Sequence, residues 1–402
     1  MADNNENKVL NVPHLRFPKF NGEWEKKRIS EFCTLLKGTG ISKDQLSTNG
    51  NPCILYGELY TKYKAEIINE VLSCTELDAN TLVKSKVNDV IIPCSGETAI
   101  DIATARCVPF DDVLLGSDLN VLRSNKINGS FLAYQLNGKR KYDIARVAQG
   151  VSVVHLYGEH LKNIVISIPV IEEQQKISRL LHLLDERIAT QNKIIEDLKK
   201  LKSAISAKLF SQKPIVWNKL NSYFIKGKAG GTPTSTNKKF YDGDIPFLSI
   251  NDITKQGKYI WQTENHISQN GLDNSSAWIV PKHSLIMSMY ASVGLVTINQ
   301  VPIATSQAMF SMLLKDKSLL DYLYYYLSYF KRRHIHKYLE TGTQSNINAD
   351  IVRGIMIPDY EYRHNIKIAS MLQSIDIKLD NESLILNQYN QQKQYLLSQM
   401  FI

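Results

Sequence analysis

Apolar residues of the stretch "ISRLLHLLDERI" fall at Ile177, Leu181, Leu184 and Ile188, and the stripe resumes at Ile195, Leu198, Ile205 and Leu209. Steps of four and three put these positions on one side of an α-helix, the seam of a coiled coil. The same stripe returns near the other end of the chain at a constant offset of 191 residues (177 to 368): Ile368, Leu372, Ile375, Leu379, Leu386, Tyr389, Leu396 and Met400. At that offset Asp185 meets Asp376 and Phe210 meets Phe401. Two seam positions are polar in both copies, Gln191 with Glu382 and Lys202 with Lys393. Interruptions that match in two copies point to a tandem duplication.

The correspondence extends upstream. Trp24 and Gly38 have the same spacing as Trp217 and Gly231, Lys139-Arg140-Lys141 pairs with Lys331-Arg332-Arg333, Gly150 pairs with Gly342, and "SIP" at Ser167–Pro169 pairs with "MIP" at Met356–Pro358. Each proline closes an apolar, strand-like run, and carboxylates that favour the helix dipole follow it, Glu172 and Glu173 in copy one, Asp359 and Glu361 in copy two. Four segments result: a first variable domain, 1–168; a long helix, 169–212; a second variable domain, 213–357; and a second long helix, 358–402. Within the domains, 89–95, 101–108, 284–291 and 293–299 are short β-rich runs, and about 129–148 and 317–340 are helical. The expected fold is α+β: two α/β domains in tandem, each with mostly antiparallel sheet. A helix of roughly 38 residues is ~57 Å long, and a single apolar seam cannot stand alone in water. The two helices are therefore expected to bury each other's seams as an antiparallel coiled-coil spacer with pseudo-twofold symmetry.

Composition narrows the class. The 402 residues suit two or three domains, and 43% hydrophobic with 22% charged residues is ordinary globular composition. No apolar run approaches membrane-spanning length, and the polar N-terminus has no export core. The odd number of cysteines, without a C-x-x-C pair, suits reduced thiols in the cytoplasm. A net charge of +9 favours a polyanionic partner.

With the duplication established, the chain resembles the specificity subunit of type I restriction–modification systems over nearly all its length. "HLRFPKFNGEWEKKRISE" (His14–Glu31), "ISIPVIEEQQKISRLLHLLDERI" and "GTQSNINADIVRGIMIP" (342–358) carry the resemblance. The second junction, "IPDYEYRHNIKI", departs from the family pattern: it lacks Glu-Gln and has two extra residues. The resemblance implies two target-recognition domains, each binding one half of a bipartite, asymmetric site in double-stranded DNA. It also implies two modification subunits that methylate adenine N6 with S-adenosylmethionine and, where present, two restriction subunits using ATP and Mg. The specificity subunit itself is then non-catalytic and carries no cofactor.

Catalytic motifs are incomplete. "KGTG" (Lys37–Gly40) has no strand-then-helix context and reads as a turn; "NPCI" (Asn51–Ile54) is a truncated methylase motif and reads as a loop; "GKAGGTPTS" lacks phosphate-loop order. His334 and His336 point to different faces of a helix. The DNA-like features are the two basic runs, Lys139, Arg140, Lys141 and Lys331, Arg332, Arg333, placed to bind phosphates. The glycine-rich loop region adds Lys226, Lys228, Thr232, Lys238 and Lys239. A protein-binding dumbbell without DNA recognition and a DNA-modifying enzyme with its own site are the competing functions. Band shifts separate the first, and S-adenosylmethionine binding by the isolated chain separates the second.

Overall fold

A computed structural model of the chain describes residues 10–338 and 346–402. Gly342 and the start of the 342–358 segment lie outside the described residues. The chain divides into two units, Met1–Lys193 with Leu384–Ile402, and Ile194–Ser383. Each unit holds one variable domain, one half of each long helix, and its own cores.

Each domain opens and closes on a two-stranded clasp. In unit 1, Glu25–Arg28 pairs antiparallel with Val165–Ile168. In unit 2, Val216–Lys219 pairs with Met356–Asp359, and Trp217 lies opposite Pro358. The clasps bring the incoming and outgoing chain of each domain together beside a helix start, which explains the recurring Trp and Ile-Pro signals. Beyond the clasp, unit 1 carries an antiparallel sheet in the order 34–37, 119–123, 89–93, 106–108. Unit 2 repeats that order with 224–229, 309–314, 285–288, 296–299 and adds 259–260 in parallel at one edge. Each unit also has a second four-stranded sheet, and in each a parallel pair recurs at its centre or edge, Cys53–Ile54 with Leu114–Leu115 and Phe247–Leu248 with Ala304–Thr305. The duplication therefore holds at the level of sheet order.

Two local expectations fail. Asn51–Ile54 is a strand, not a loop. Its pairing partners, Ser73–Thr75 and Leu114–Leu115, are distant in sequence, and Pro52 precedes the stretch that pairs with Leu114, so its missing N–H is tolerated. The 101–108 run is a strand only at Arg106–Val108, because Thr98 caps a short helix, Ala99–Ile102, through its side chain. The helical stretch at 129–148 divides at Gly138 into α1 (Gly129–Asn137) and a second segment, Lys141–Val147.

The long helices are α2 (Ile171–Phe210) and, after the fourteen-residue α3 (Leu320–Arg333), α4 (Tyr362–Gln399). Ile177, Leu181 and Leu184 share one core with Leu396, Met400 and Phe401 and with Phe131 and Leu132 of α1. In unit 2, Ile368 and Leu372 share a core with Phe210, Tyr322 and Tyr326, and Ile205 and Leu209 pack against it. Within each unit the start of one long helix thus meets the end of the other, so the pairing is antiparallel. The seam is most deeply buried where a domain closes over it. Further along, Ile188, Leu198, Leu379 and Leu386 are half-buried, whereas Ile195 stays buried.

The lysines of the polar seam positions cross-pair. Lys393 of the second copy binds Asp185 of the first at 2.6 Å, and Lys202 of the first copy binds Asp376 of the second. In each unit a domain tyrosine completes the joint. Tyr134 donates to Asp185 at 2.7 Å and Tyr325 donates to Asp376 at 2.7 Å. Lys393 lies over the Tyr134 ring at 5.8 Å, and Lys202 lies over the Tyr325 ring at 5.3 Å. Burial first, and the adjoining carboxylate second, push both phenols far above their ordinary values, so both stay protonated donors.

The divergent second junction keeps its architecture through a substituted amide. In unit 1 the Gln174 amide donates to the Pro169 carbonyl at 2.8 Å. At the equivalent place Asn365 donates to Asp359 at 2.8 Å and accepts from the Tyr360 N–H at 3.1 Å. The extra residues are absorbed at Glu361, whose φ of +90° is in the left-handed region.

Candidate nucleic-acid interface

The basic positions fall into three settings. On the first run, Lys139 is exposed at the end of α1. Arg140 is tied inward: it pairs with Asp143 at 3.1 Å and donates to the Ile402 carbonyl at 3.0 Å. Lys141 is half-buried, and burial, with Arg106 nearby, lowers its pKa. On the second run, at the C-terminal turn of α3, the aliphatic stem of Lys331 lies over Gly294 and burial lowers its pKa. Arg332 and Arg333 are exposed, and Arg332 reaches Ser203 of α2 at 3.5 Å. The solvent-facing cations of the two runs are therefore Lys139, Arg332 and Arg333. His334 packs its ring on Tyr329 and Phe330, while His336 is exposed.

The third setting is in unit 2. Lys226 and Lys228 lie two residues apart on the edge strand Phe224–Ala229, so both side chains leave the same face. Both are exposed; Lys226 lies over the Trp278 ring at 4.3 Å and Lys228 reaches the Ser276 carbonyl at 3.5 Å. A bulge between Phe224 and Lys226 interrupts the ladder at the start of this strand. Past it the chain crosses Gly230 and Gly231 to exposed Thr232, whose hydroxyl donates to the Gln307 side-chain oxygen. Lys238 and Lys239 follow, exposed, on a short helical turn capped by Asn237. This surface combines cations for phosphates with amide and hydroxyl groups able to meet base edges.

Sequence reasoning missed Glu66 and Lys258, which complete the two joints. Lys393 also binds Glu66, whereas Lys258 donates to Tyr325 at 3.0 Å and pairs with Asp321 at 2.7 Å. Glu66 and Lys258 are 192 residues apart, the offset that also links the two basic runs, and their carbonyls accept from Cys107 and Ile298 in the same way. The repeat marked the position, but the opposite charges hid the shared role. Among the described residues no cluster of three or more His, Cys, Asp or Glu side chains could hold a metal, and no helix is long and apolar enough to cross a membrane. At the Lys37–Gly40 turn a Cβ on Gly38 would lie 2.1 Å from the Gly116 carbonyl oxygen, so this glycine packs against protein and leaves no ligand cradle.

Residues 21–200 and 219–391 both match the type I restriction modification DNA specificity domain. The chain belongs to that family. Both copies of the duplication are thus specificity domains, and the chain is a type I restriction–modification specificity subunit by family. It is 27% identical to the MjaIX specificity subunit of Methanocaldococcus jannaschii over 38% of this chain and 36% of that protein, about a third of the relative's length. It is 23% identical to the MjaVIII specificity subunit of the same organism over 90% of this chain and 87% of the relative. The crystal structure of a type I restriction–modification S subunit from M. genitalium shares the fold, with a TM-score of 0.61 and 16% identity over 97% of this chain and 99% of that one.

Proposed function

We propose that this specificity subunit recognises a split, asymmetric site in double-stranded DNA, one half per domain. It holds two modification subunits that methylate adenine N6. S-adenosylmethionine would sit in the modification partner, and ATP and Mg in restriction subunits where these join. The chain itself performs no chemistry and works in the cytoplasm. The observation that carries this reading is a contrast within the duplication. The tyrosine, aspartate and lysine at the joint between domain and helices recur in both copies, whereas the exposed polar surfaces of the two domains differ. A scaffold that presents two different readers has that pattern, and two different readers give an asymmetric site.

Methylome mapping of cells with and without the chain tests the proposal: a split adenine motif should appear only when the chain is present. Stoichiometric S-adenosylmethionine binding by the chain alone would sink the non-catalytic reading. Replacing Lys331, Arg332 and Arg333 together with Ala should weaken binding to all DNA sequences and flatten its salt dependence, because phosphate contacts release counterions and carry no base information. Lys331 is half-buried, so Arg332 and Arg333 should account for most of the change.

A further inference from the structure

Three backbone hydrogen bonds recur around one turn in each domain. In unit 1 the N–H of Gly38 donates to Leu119 at 2.9 Å, that of Thr39 to Leu115 at 3.0 Å, and that of Cys94 to Asp118 at 2.7 Å. In unit 2 Gly230 donates to Met309 at 3.1 Å, Gly231 to Thr305 at 2.9 Å, and Met289 to Ala308 at 2.7 Å. Gly38 therefore corresponds to Gly230, one residue from the Gly231 that spacing alone selects. The turns 116–118 and 306–308 are then the same element, with Ser117 matched to Gln307 and Asp118 to Ala308.

Each turn leads into the strand that pairs with the domain's edge strand, and each is clamped. A Cβ at Gly230 would sit 1.9 Å from the Thr305 carbonyl oxygen, as one at Gly38 would crowd Gly116. The backbone is fixed while the side chains differ and stay accessible. Gln307 is exposed, and its side-chain oxygen accepts from Thr232. Its amide nitrogen is left to donate, beside an edge strand that carries exposed Lys226 and Lys228. Asp118 is part-exposed, with its carboxylate 3.9 Å from the Lys37 ammonium.

We propose that these two turns read base edges, Gln307 an adenine in the second half-site and Asp118 an exocyclic amino group, on cytosine or adenine, in the first. This inference rests on the DNA-recognition reading above. A glutamine amide offers one donor and one acceptor, matching N7 and the N6 amino group of adenine in the major groove, whereas a carboxylate only accepts. Thr232 fixes the amide's orientation, and the clamped backbone lowers the ordering cost of contact. Lys37, Lys226 and Lys228 supply phosphate contacts on either side.

The test uses the full chain with its modification partners and a randomised library of split sites. Gln307→Ala and Gln307→Glu should each relax one adenine position of the second half-site, lowering discrimination there by about tenfold or more. The first half should be unchanged. Asp118→Asn should change preference in the first half alone. Both side chains are on exposed turns, so thermal unfolding should match the parent chain and separate lost reading from lost folding. If both Gln307 variants keep full discrimination at every second-half position, or relax a position that is not adenine, the proposal is overturned. A parent chain that confers no split motif would overturn the DNA-recognition reading itself, a separate result. Lys226→Ala with Lys228→Ala losing affinity while both Gln307 variants read normally would keep that reading and overturn the role of the turn.

Discussion

The two domain–helix joints show what a duplication keeps and what it releases. Both hold a tyrosine, an aspartate from one long helix and a lysine from the other, in one geometry. What surrounds them has opposite charge. In unit 1 Lys393 is shared between two carboxylates, Asp185 and Glu66, and is only 11% exposed. In unit 2 a second cation, Lys258, sits on Tyr325, and Lys202 and Asp376 are 24% and 22% exposed. The aspartate–lysine pairs that cross between the two long helices are alike because each must fit a helix from the other copy. Glu66 and Lys258 occupy matched positions of the two domains and differ in charge: Glu66 reaches Lys393 on the helix of the second copy, whereas Lys258 binds Tyr325 and Asp321 of its own domain. Another difference is the N-terminal arm: Arg16 holds Glu173 at 2.7 Å and Leu15 binds the Gln399 carbonyl at 3.0 Å. His364 occupies the position of Glu173 in the second copy, and its ring packs on Tyr360.

The largest test removes the second copy. A chain ending after Phe210 leaves Asp185 without Lys393 and strips the seam of its partner. The offset of 191 shows what a second copy of this half-chain would supply: Lys202 for Lys393, Ile205 for Leu396, Leu209 for Met400 and Phe210 for Phe401. Ser206 would replace buried Leu397, the one poor exchange. Each buried Leu or Ile contributes ~1.5–3 kcal/mol before entropy is subtracted, against an association cost of about 4–15 kcal/mol. The half-chain should therefore form a twofold dimer at micromolar concentration, and its two identical domains should direct methylation to a symmetric split site. Light scattering that finds a stable monomer with α2 still ordered would refute the exchangeability of the two copies.

Single lysine deletions come next in size. Lys393→Ala leaves Asp185 and Glu66 buried together without their shared cation, a loss of roughly 3–5 kcal/mol by the usual cost of breaking a buried pair. Lys202→Ala leaves Asp376 with the Tyr325 hydroxyl and partial access to water, so about 1–2 kcal/mol is expected, between surface and buried pairs. Denaturant unfolding of the two variants should rank them in that order. Equal losses would mean that the flanking charges do not distinguish the joints.

The seam was legible because its period survives in both copies and each local choice agrees with a helix. The matched polar interruptions were visible too, but not that the lysines among them cross-pair, since each meets an aspartate more than 170 residues away. Asn51–Ile54 was unreadable for a similar reason: a short strand containing proline has no local signature apart from its partners. The second junction looked divergent because Asn365 replaces Gln174 seven residues after the proline instead of five. The basic runs announced charge but not engagement. Only contacts with Asp143, Ile402 and Gly294 separate Arg140 and Lys331 from the cations left to solvent.

A pH profile sharpens the same contrast. Burial raises the Glu66 carboxyl above its ordinary value, with Asp185 adding to the rise and Lys393 opposing it. A carboxyl raised in the folded state favours folding below its unfolded value, and that contribution is lost as pH rises through the folded value. Glu66→Gln should remove this loss. The difference in melting temperature between variant and parent should therefore shift in the variant's favour as pH rises above the ordinary glutamate range. A flat difference would mean that Glu66 is fully compensated by Lys393.

The smallest effect concerns the helix starts. In unit 1 the chain passes from Pro169 through Val170 directly into α2, and the Val170 carbonyl accepts from Glu173 at 3.0 Å. In unit 2 two further residues intervene, and Glu361 takes φ +90° while its carbonyl accepts from Asn365 at 2.9 Å. A side chain in that region is strained by about 1–3 kcal/mol. Glycine adopts it freely and is tolerated before the first helical turn, but its unfolded chain has more freedom to lose. Glu361→Gly should therefore stabilise unit 2 by about 0.5–1 kcal/mol net. Val170→Gly, at a position without positive φ, should only weaken unit 1, by about the same amount. Opposite signs in thermal unfolding would show that the extra residues of the second junction are accommodated by backbone strain at one position. Two losses would show that Glu361 contributes through its side chain instead.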